Sequence, residues 1–123
     1  MASNIKVTIL IEKDGVPIEG FPIFYRASFD ETQRFDGMER TTSASYVALP
    51  TGELDNIQLL CMRADKAYSL RLNAQTDAGV DMQANGIVLL CGATLDSAAA
   101  TNATLQNNSG STAVVTPGIA AGT

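Results

Sequence analysis

The sequence predicts an all-β protein, built as an antiparallel β-sandwich or flattened barrel of about eight short strands. Three observations support this prediction. Apolar and polar residues alternate with a period of two in several segments, turn-forming residues recur about every ten positions, and no window keeps the spacing of an amphipathic helix. The length of 123 residues fits one domain, residues 1–123, with a single thin core.

The first predicted strand is followed by a tight turn and an irregular return. Its alternating β-branched residues are Ile5, Val7, Ile9 and Ile11, and it closes at Asp14-Gly15, a strong hairpin signal. The returning segment, 16–25, carries Pro17 and Pro22. Because proline cannot donate a ladder hydrogen bond, this segment is expected at a sheet edge or as two short pieces. Residues 26–45 predict one short strand and a long surface loop.

Two more hairpins are predicted in the middle of the chain. The alternation over 57–61 ends at a turn, 64–66, and resumes over 68–74, so the two segments are expected to pair. Asn85-Gly86 joins a short strand, 80–82, to the almost fully apolar segment 87–91, which we expect in mid-core. The residues predicted to be buried include Ile9, Leu59, Leu70, Leu72, Val88 and Leu89.

The last 27 residues, 97–123, contain no charged side chain, whereas disordered tails are usually rich in charge. This charge-free terminal segment predicts a hairpin of 103–106 with 112–115, joined through 107–110. It is expected to pack either on the chain's own sheet or on another protein. Since no charge protects its edge and its apolar residues are too few for a core, the predicted assembly contacts are Leu105, Val114, Val115 and Ile119.

The charge pattern limits the kinds of partner that can be expected, and the cysteines bear on the cellular compartment. The net charge is -5 and the basic residues form no stripe, so nucleic acid is not expected as a partner. No apolar run is long enough for a membrane span and the first residues lack a signal-peptide pattern. Because Cys61 and Cys91 lie in apolar runs of a chain expected in the cytosol, both are predicted to be free thiols packed in the core.

Little in the sequence points to catalysis. Histidine is absent, which removes the commonest general base and metal ligand, and the two cysteines lack zinc-site spacing. We therefore expect no enzyme, no catalytic residue, no metal site and no cofactor. A glycosidase-like carboxylate pair is the remaining enzymatic alternative, although acids in turns are usually solvated. The aromatic group FPIFY, with Phe21, Phe24 and Tyr25, is either an anchor of an edge strand or a ledge for a peptide or sugar.

Three segments carry a resemblance of the whole chain to a known family: the opening strand IKVTILIEKDG, the middle LRLNAQTDAGVDMQANGIVLLCG and above all the ending ATNATLQNNSGSTAVVTPGIAAGT. Their Asn-Thr and Ser-Gly turns between short apolar strands resemble those of small all-β structural proteins of tailed bacteriophage virions. The resemblance implies a non-enzymatic virion protein, foremost a capsid decoration or cement protein that binds and stabilises the assembled shell. A neck or tail component is the alternative within this class.

The resemblance also implies partners and a location. The partners would be the major capsid protein or other virion subunits, together with further copies of the chain, for which we expect a trimer. The protein would be made in the host cytoplasm and reside in the virion. A carbohydrate- or receptor-binding module is the alternative from another class, and exposed aromatic side chains would be expected of it.

Overall fold

The computed structural model describes residues 2–40, 47–50, 54, 56–72, 79–96, 104–107 and 109–123, and these residues form an all-β fold, as predicted. No helix long and apolar enough to cross a membrane occurs in this part of the chain. The described strands are β1 (Ser3–Ile9), β2 (Glu12–Lys13), β3 (Val16–Pro17), β4 (Ile23–Phe29), β5 (Glu31–Arg34), β6 (Met38–Arg40), β7 (Val47–Ala48), β8 (Asn56–Ala64), β9 (Tyr68–Arg71), β10 (Val80–Met82), β11 (Ile87–Asp96), β12 (Thr104–Asn107) and β13 (Ala113–Gly122).

Two antiparallel sheets form the body of the molecule. One has the order β11-β8-β13-β5, with β6 pairing β13 beside β5, and the other has the order β10-β9-β12-β7. Strands β6 to β13 pair as β6 with β13, β7 with β12, β8 with β11 and β9 with β10. These eight strands therefore form one long antiparallel ribbon. The ribbon is folded back on itself, so that β8 also pairs with β13 and β9 also pairs with β12. This strand order is that of a jelly roll, an eight-stranded double sheet.

Three predicted hairpins are wrong, because their turns cross from one sheet to the other. β8 and β9, β10 and β11, and β12 and β13 each lie in different sheets, although each pair is consecutive in the chain. At the crossover between β10 and β11, Asn85 has a positive φ of 65° and its N–H donates to the Ala64 carbonyl. The turn chemistry is as expected, but it serves a sheet-to-sheet connection. Only the hairpin at Asp14-Gly15 is confirmed.

The two sheets enclose the main core. Its buried side chains include Leu60 and Met62 from β8, Leu70 from β9, Leu105 from β12 and Val115 from β13. Of the residues predicted to be buried, Leu59 and Leu70 are, whereas Ile9, Leu72, Val88 and Leu89 are half-buried. Because β11 is an edge strand of its sheet, its apolar side chains keep partial exposure, so its predicted place in mid-core is wrong.

A third layer lies on the outer face of the five-stranded sheet. It is the two-stranded antiparallel sheet of β1 and β4, whose registers run from Ser3 opposite Phe29 to Ile9 opposite Ile23. A second, smaller core joins this ribbon to the sheet around Phe29, Leu59 and Ala121. The five-stranded sheet is therefore covered on both faces.

Candidate assembly surface

The ribbon and its hairpin extension form a structure that we call the arm, residues 3–29. Its root, 3–7 and 25–29, packs on the five-stranded sheet, whereas its distal part, 8–24, continues past that contact. Residues 10–20 are all exposed. The arm therefore ends as a ribbon surrounded by solvent.

Local turn chemistry explains the shape of the arm. Asp14 and Gly15 both have positive φ, 54° and 79°, which is the geometry of the type I′ turn that suits a two-residue hairpin. Beyond this turn, the N–H of Ile18 donates to the Ile11 carbonyl at 2.9 Å. The returning chain contains Pro17 and Pro22 and is divided into β3 and β4, as the sequence predicts.

The two faces of the root differ in chemistry. On the inner face, Ile5, Val7, Tyr25, Ala27 and Phe29 contact a patch of the sheet that consists of Leu59, Cys91, Ile119 and Ala121. These alternate with the residues of the outer face, Asn4, Lys6, Arg26 and Ser28. The aromatic group is likewise divided, because Tyr25 is an anchor of the second core while its neighbour Phe24 is exposed.

The outer face of the root carries two cations directly opposite each other. Lys6 is the cross-strand partner of Arg26, an arrangement of like charges that destabilises a sheet. Both contact the ring of Phe24, with Lys6 Nζ 4.9 Å and Arg26 Cζ 5.8 Å from its centroid. In the part of the chain that the structure describes, neither cation has a carboxylate partner. This is unexpected in a chain of net charge -5.

An open pocket of about 350 Å³ lies at these cations. Asn4, Lys6, Arg26 and Ser28 line it as two cross-strand pairs, and Ile5 and Ala27 complete the lining. All four polar side chains can donate hydrogen bonds, and two of them carry a positive charge. The pocket is therefore suited to an anionic group, such as a carboxylate.

The distal part of the arm concentrates exposed apolar surface. Val16 is 64% exposed and Phe24 is 52% exposed, and four more large side chains there are exposed by more than two-fifths: Leu10, Ile11, Ile18 and Ile23. Two others, Val80 and Ile87, lie apart on the edge strands β10 and β11. Such a concentration of exposed apolar side chains in one ribbon is typical of an interaction surface.

The predicted assembly contacts lie elsewhere, in the charge-free terminal segment. Leu105 and Val115 are buried in the main core, while Val114 and Ile119 are half-buried in β13, and Ile119 packs against the second core. A partner could reach the buried pair only if the sandwich opened. Contact through these four residues stays a prediction, but the described surface offers the arm instead. Residues 97–103 and 108 of the segment lie outside the described residues.

The arm also covers one of the two cysteines. Both are free thiols, as predicted, but they are half-buried, and Cys91 packs in the cluster beneath the arm. Burial raises the pKa of the Cys61 thiol, and burial together with the neighbouring Cys61 raises the pKa of Cys91. A raised pKa leaves a smaller fraction of reactive thiolate at neutral pH.

Within the described residues, no group of three or more His, Cys, Asp and Glu side chains is arranged to hold a metal ion. Comparison with protein-family models, with curated proteins and with solved structures finds no match. The chemistry of the arm is therefore the basis for the function proposed below.

Proposed function

We propose that this protein is a non-enzymatic structural protein of a virion, most directly a capsid decoration protein, and that the arm is its assembly surface. The observation that carries the proposal is the exposed apolar distal part, which extends from a body whose own core is complete. Exposed apolar surface of this kind favours contact with another subunit, which a protein of an assembly requires.

Two properties of the arm support a docking role. A two-stranded ribbon is only marginally stable alone. The exposure of its six large apolar side chains to water is unfavourable, and contact with another subunit would remove it. The charged pair Lys6 and Arg26 sits near the middle of its strands, and such charges hinder indiscriminate edge pairing. The exposed apolar side chains of the arm therefore favour docking on a partner, while the charged pair disfavours non-specific pairing of strand edges.

The proposal is tested by following the chain into particles. An epitope-tagged chain, produced during infection by the phage that encodes it, is expected to sediment with purified virions in a density gradient. A variant with Leu10, Ile18 and Phe24 changed to Ser should stay in the soluble fraction while keeping its fold. The matched control changes Val80 and Ile87 to Ser, since these exposed residues lie outside the arm. A wild-type chain that is absent from virions would refute the structural role.

A carbohydrate- or receptor-binding module is the second candidate function. It is favoured by the polar pocket at Asn4, Lys6, Arg26 and Ser28, next to the exposed ring of Phe24. A glycan array probed with the purified protein distinguishes the two. Binding to acidic glycans that is lost in Lys6→Gln would favour this second function.

A further inference from the structure

We propose that the arm binds the arm of a second copy of this chain, with the two arms antiparallel about a two-fold axis. The inference deepens the proposed function and rests on its assignment of the arm as the assembly surface. Each copy would place the acidic side chains of its distal part at the cationic pocket of the other root.

The charge along the arm is self-complementary. The root carries Lys6 and Arg26 on one face, a charge of +2. The distal part carries three acids and one base, namely Glu12, Lys13, Asp14 and Glu19, a charge of -2. An antiparallel pair of arms therefore brings +2 against -2 at both ends, whereas a parallel pair would bring like charges together. This electrostatic match selects the antiparallel orientation.

The spacing of these groups fits the same arrangement. Lys6 and Asp14 are eight positions apart in the chain, which is about 25 Å of extended strand. The exposed Leu10 lies midway between them in the chain, and Phe24, on β4 beside Arg26, contacts both cations. A two-fold axis near Leu10 superposes each acidic end on the other copy's basic root and brings the apolar segments together.

The exposed apolar side chains add to the charge match. Because side chains alternate along β4, Phe24 lies on the face of the two cations and Ile23 on the opposite face, so a partner on the cationic face covers only some of the six exposed side chains and the interface is a small one. The cationic pocket adds hydrogen-bond donors for a carboxylate at each end. Symmetry makes every contact occur twice.

The first experiment measures the mass of the purified protein by light scattering and its dimerisation by sedimentation equilibrium. We expect a concentration-dependent dimer. Arg26→Glu reduces the charge of the root from +2 to 0 and should weaken the dimer roughly tenfold or more, because each of the two symmetric contacts loses its net attraction. The matched control is Lys66→Glu, which changes the net charge equally but lies on the body. Far-ultraviolet circular dichroism verifies that each variant is folded.

The second experiment reverses the pattern and mixes the copies. Glu12→Lys with Glu19→Lys makes the distal part basic and should also abolish the homodimer. Mixed with the Lys6→Glu, Arg26→Glu chain, it should give a heterodimer, since one arm is then acidic throughout and the other basic. A single chain that carries all four changes has the inverted charge pattern and should dimerise again.

Several outcomes would overturn the antiparallel arm pair. They are a monomer at all concentrations, a trimer, a dimer unaffected by Arg26→Glu, or a mixture that forms no heterodimer. Failure of the inference is separable from failure of the proposed function. A chain that is monomeric in solution but sediments with virions through its arm keeps its structural role and loses only the self-pairing. A dimer that is absent from virions keeps the self-pairing and loses the structural role.

Discussion

Asp36 ties the turn between β5 and β6 to the central strand β13. Its Oδ1 accepts a hydrogen bond from the Gly118 N–H at 2.6 Å, and its Oδ2 accepts one from Arg34 Nη2. The backbone bond from Gly118 favours the ionised carboxylate most. Together with the bond and the charge of Arg34 it outweighs the opposing effect of burial. The pKa of Asp36 is therefore below its ordinary value.

This lowered pKa predicts a pH dependence of stability. Because the folded pKa of Asp36 lies below the unfolded value, its contribution is fully present above the unfolded pKa and is lost as the pH falls through the folded pKa. Asp36→Asn should thus lower the free energy of unfolding near neutral pH and have a smaller effect near pH 3, where part of the contribution is already lost. Urea unfolding near pH 7 and near pH 3 measures this, with exposed Asp30→Asn as the control. A difference that is equal at both pH values would contradict the assignment.

Gly122 sits where the last strand meets the start of β8, at a point without room for a side chain. A Cβ there would lie 1.8 Å from the Asn56 carbonyl oxygen, which also accepts the Thr123 N–H at 3.2 Å. Gly122→Ala is therefore expected to destabilise the fold by about 1–3 kcal/mol through overpacking. Gly110→Ala is the matched control, because nothing lies within 4 Å of its added Cβ. Equal urea midpoints for the two variants would show that the backbone at the end of β13 can shift to accommodate the added Cβ without loss of stability.

At the scale of elements, the sequence located most strands but mispaired them. The alternation over 57–61 and 68–74 and the Asn85-Gly86 signal mark strands and turns that the structure contains. A tight turn determines that the chain reverses, but not whether the next strand joins the same sheet. That choice depends on distant partners such as β13, which lies beside β8 only after the whole ribbon has folded. The hairpin at Asp14-Gly15 was predictable because no sheet competes for its strands.

Local sequence patterns were also insufficient to predict the assembly surface. Pro17 and Pro22 indicate an irregular edge, and that much was predictable. However, alternation is the same for a strand whose apolar face is covered and for one that is free, so the exposure of Leu10 and Ile18 could not be inferred. The absence of charge pointed instead to the terminal segment. Over Ala113–Gly122 this absence fits the central position of β13 between neighbouring strands.

The packing of the arm on the sheet can be tested through the thiol of Cys91. Tyr25 lies over this region, since a Cβ at Gly92 would be 3.4 Å from its ring, and Cys91 packs in the same cluster. Tyr25→Ala should loosen the root and increase the rate at which Cys91 reacts with a thiol reagent in the native protein. Phe24→Ala is the matched control, because its ring is on the exposed side of the same strand. Equal rates in both variants would show that the root does not shield this thiol.

At the scale of the whole molecule, the charge-free segment and the arm have opposite relations to the fold. β13 pairs with β8 on one side and with β5 and β6 on the other, and it supplies Val115 and Ala120 to the main core and Ala121 to the second. The distal part of the arm contributes no buried residue. Stability should therefore depend on the terminal strand, while assembly depends on the arm.

Two deletions test this division. Removal of residues 113–123 takes out a central strand, so it should leave a chain with no cooperative unfolding transition and with an unfolded circular dichroism spectrum. Replacement of residues 10–22 by Asn-Gly joins Ile9 to its partner Ile23 with a two-residue turn and should keep the spectrum and most of the unfolding free energy while abolishing self-association. A truncated chain that still unfolds cooperatively as a monomer would mean that β13 is an accessory strand. The terminal segment would then again be a candidate for contact with a partner.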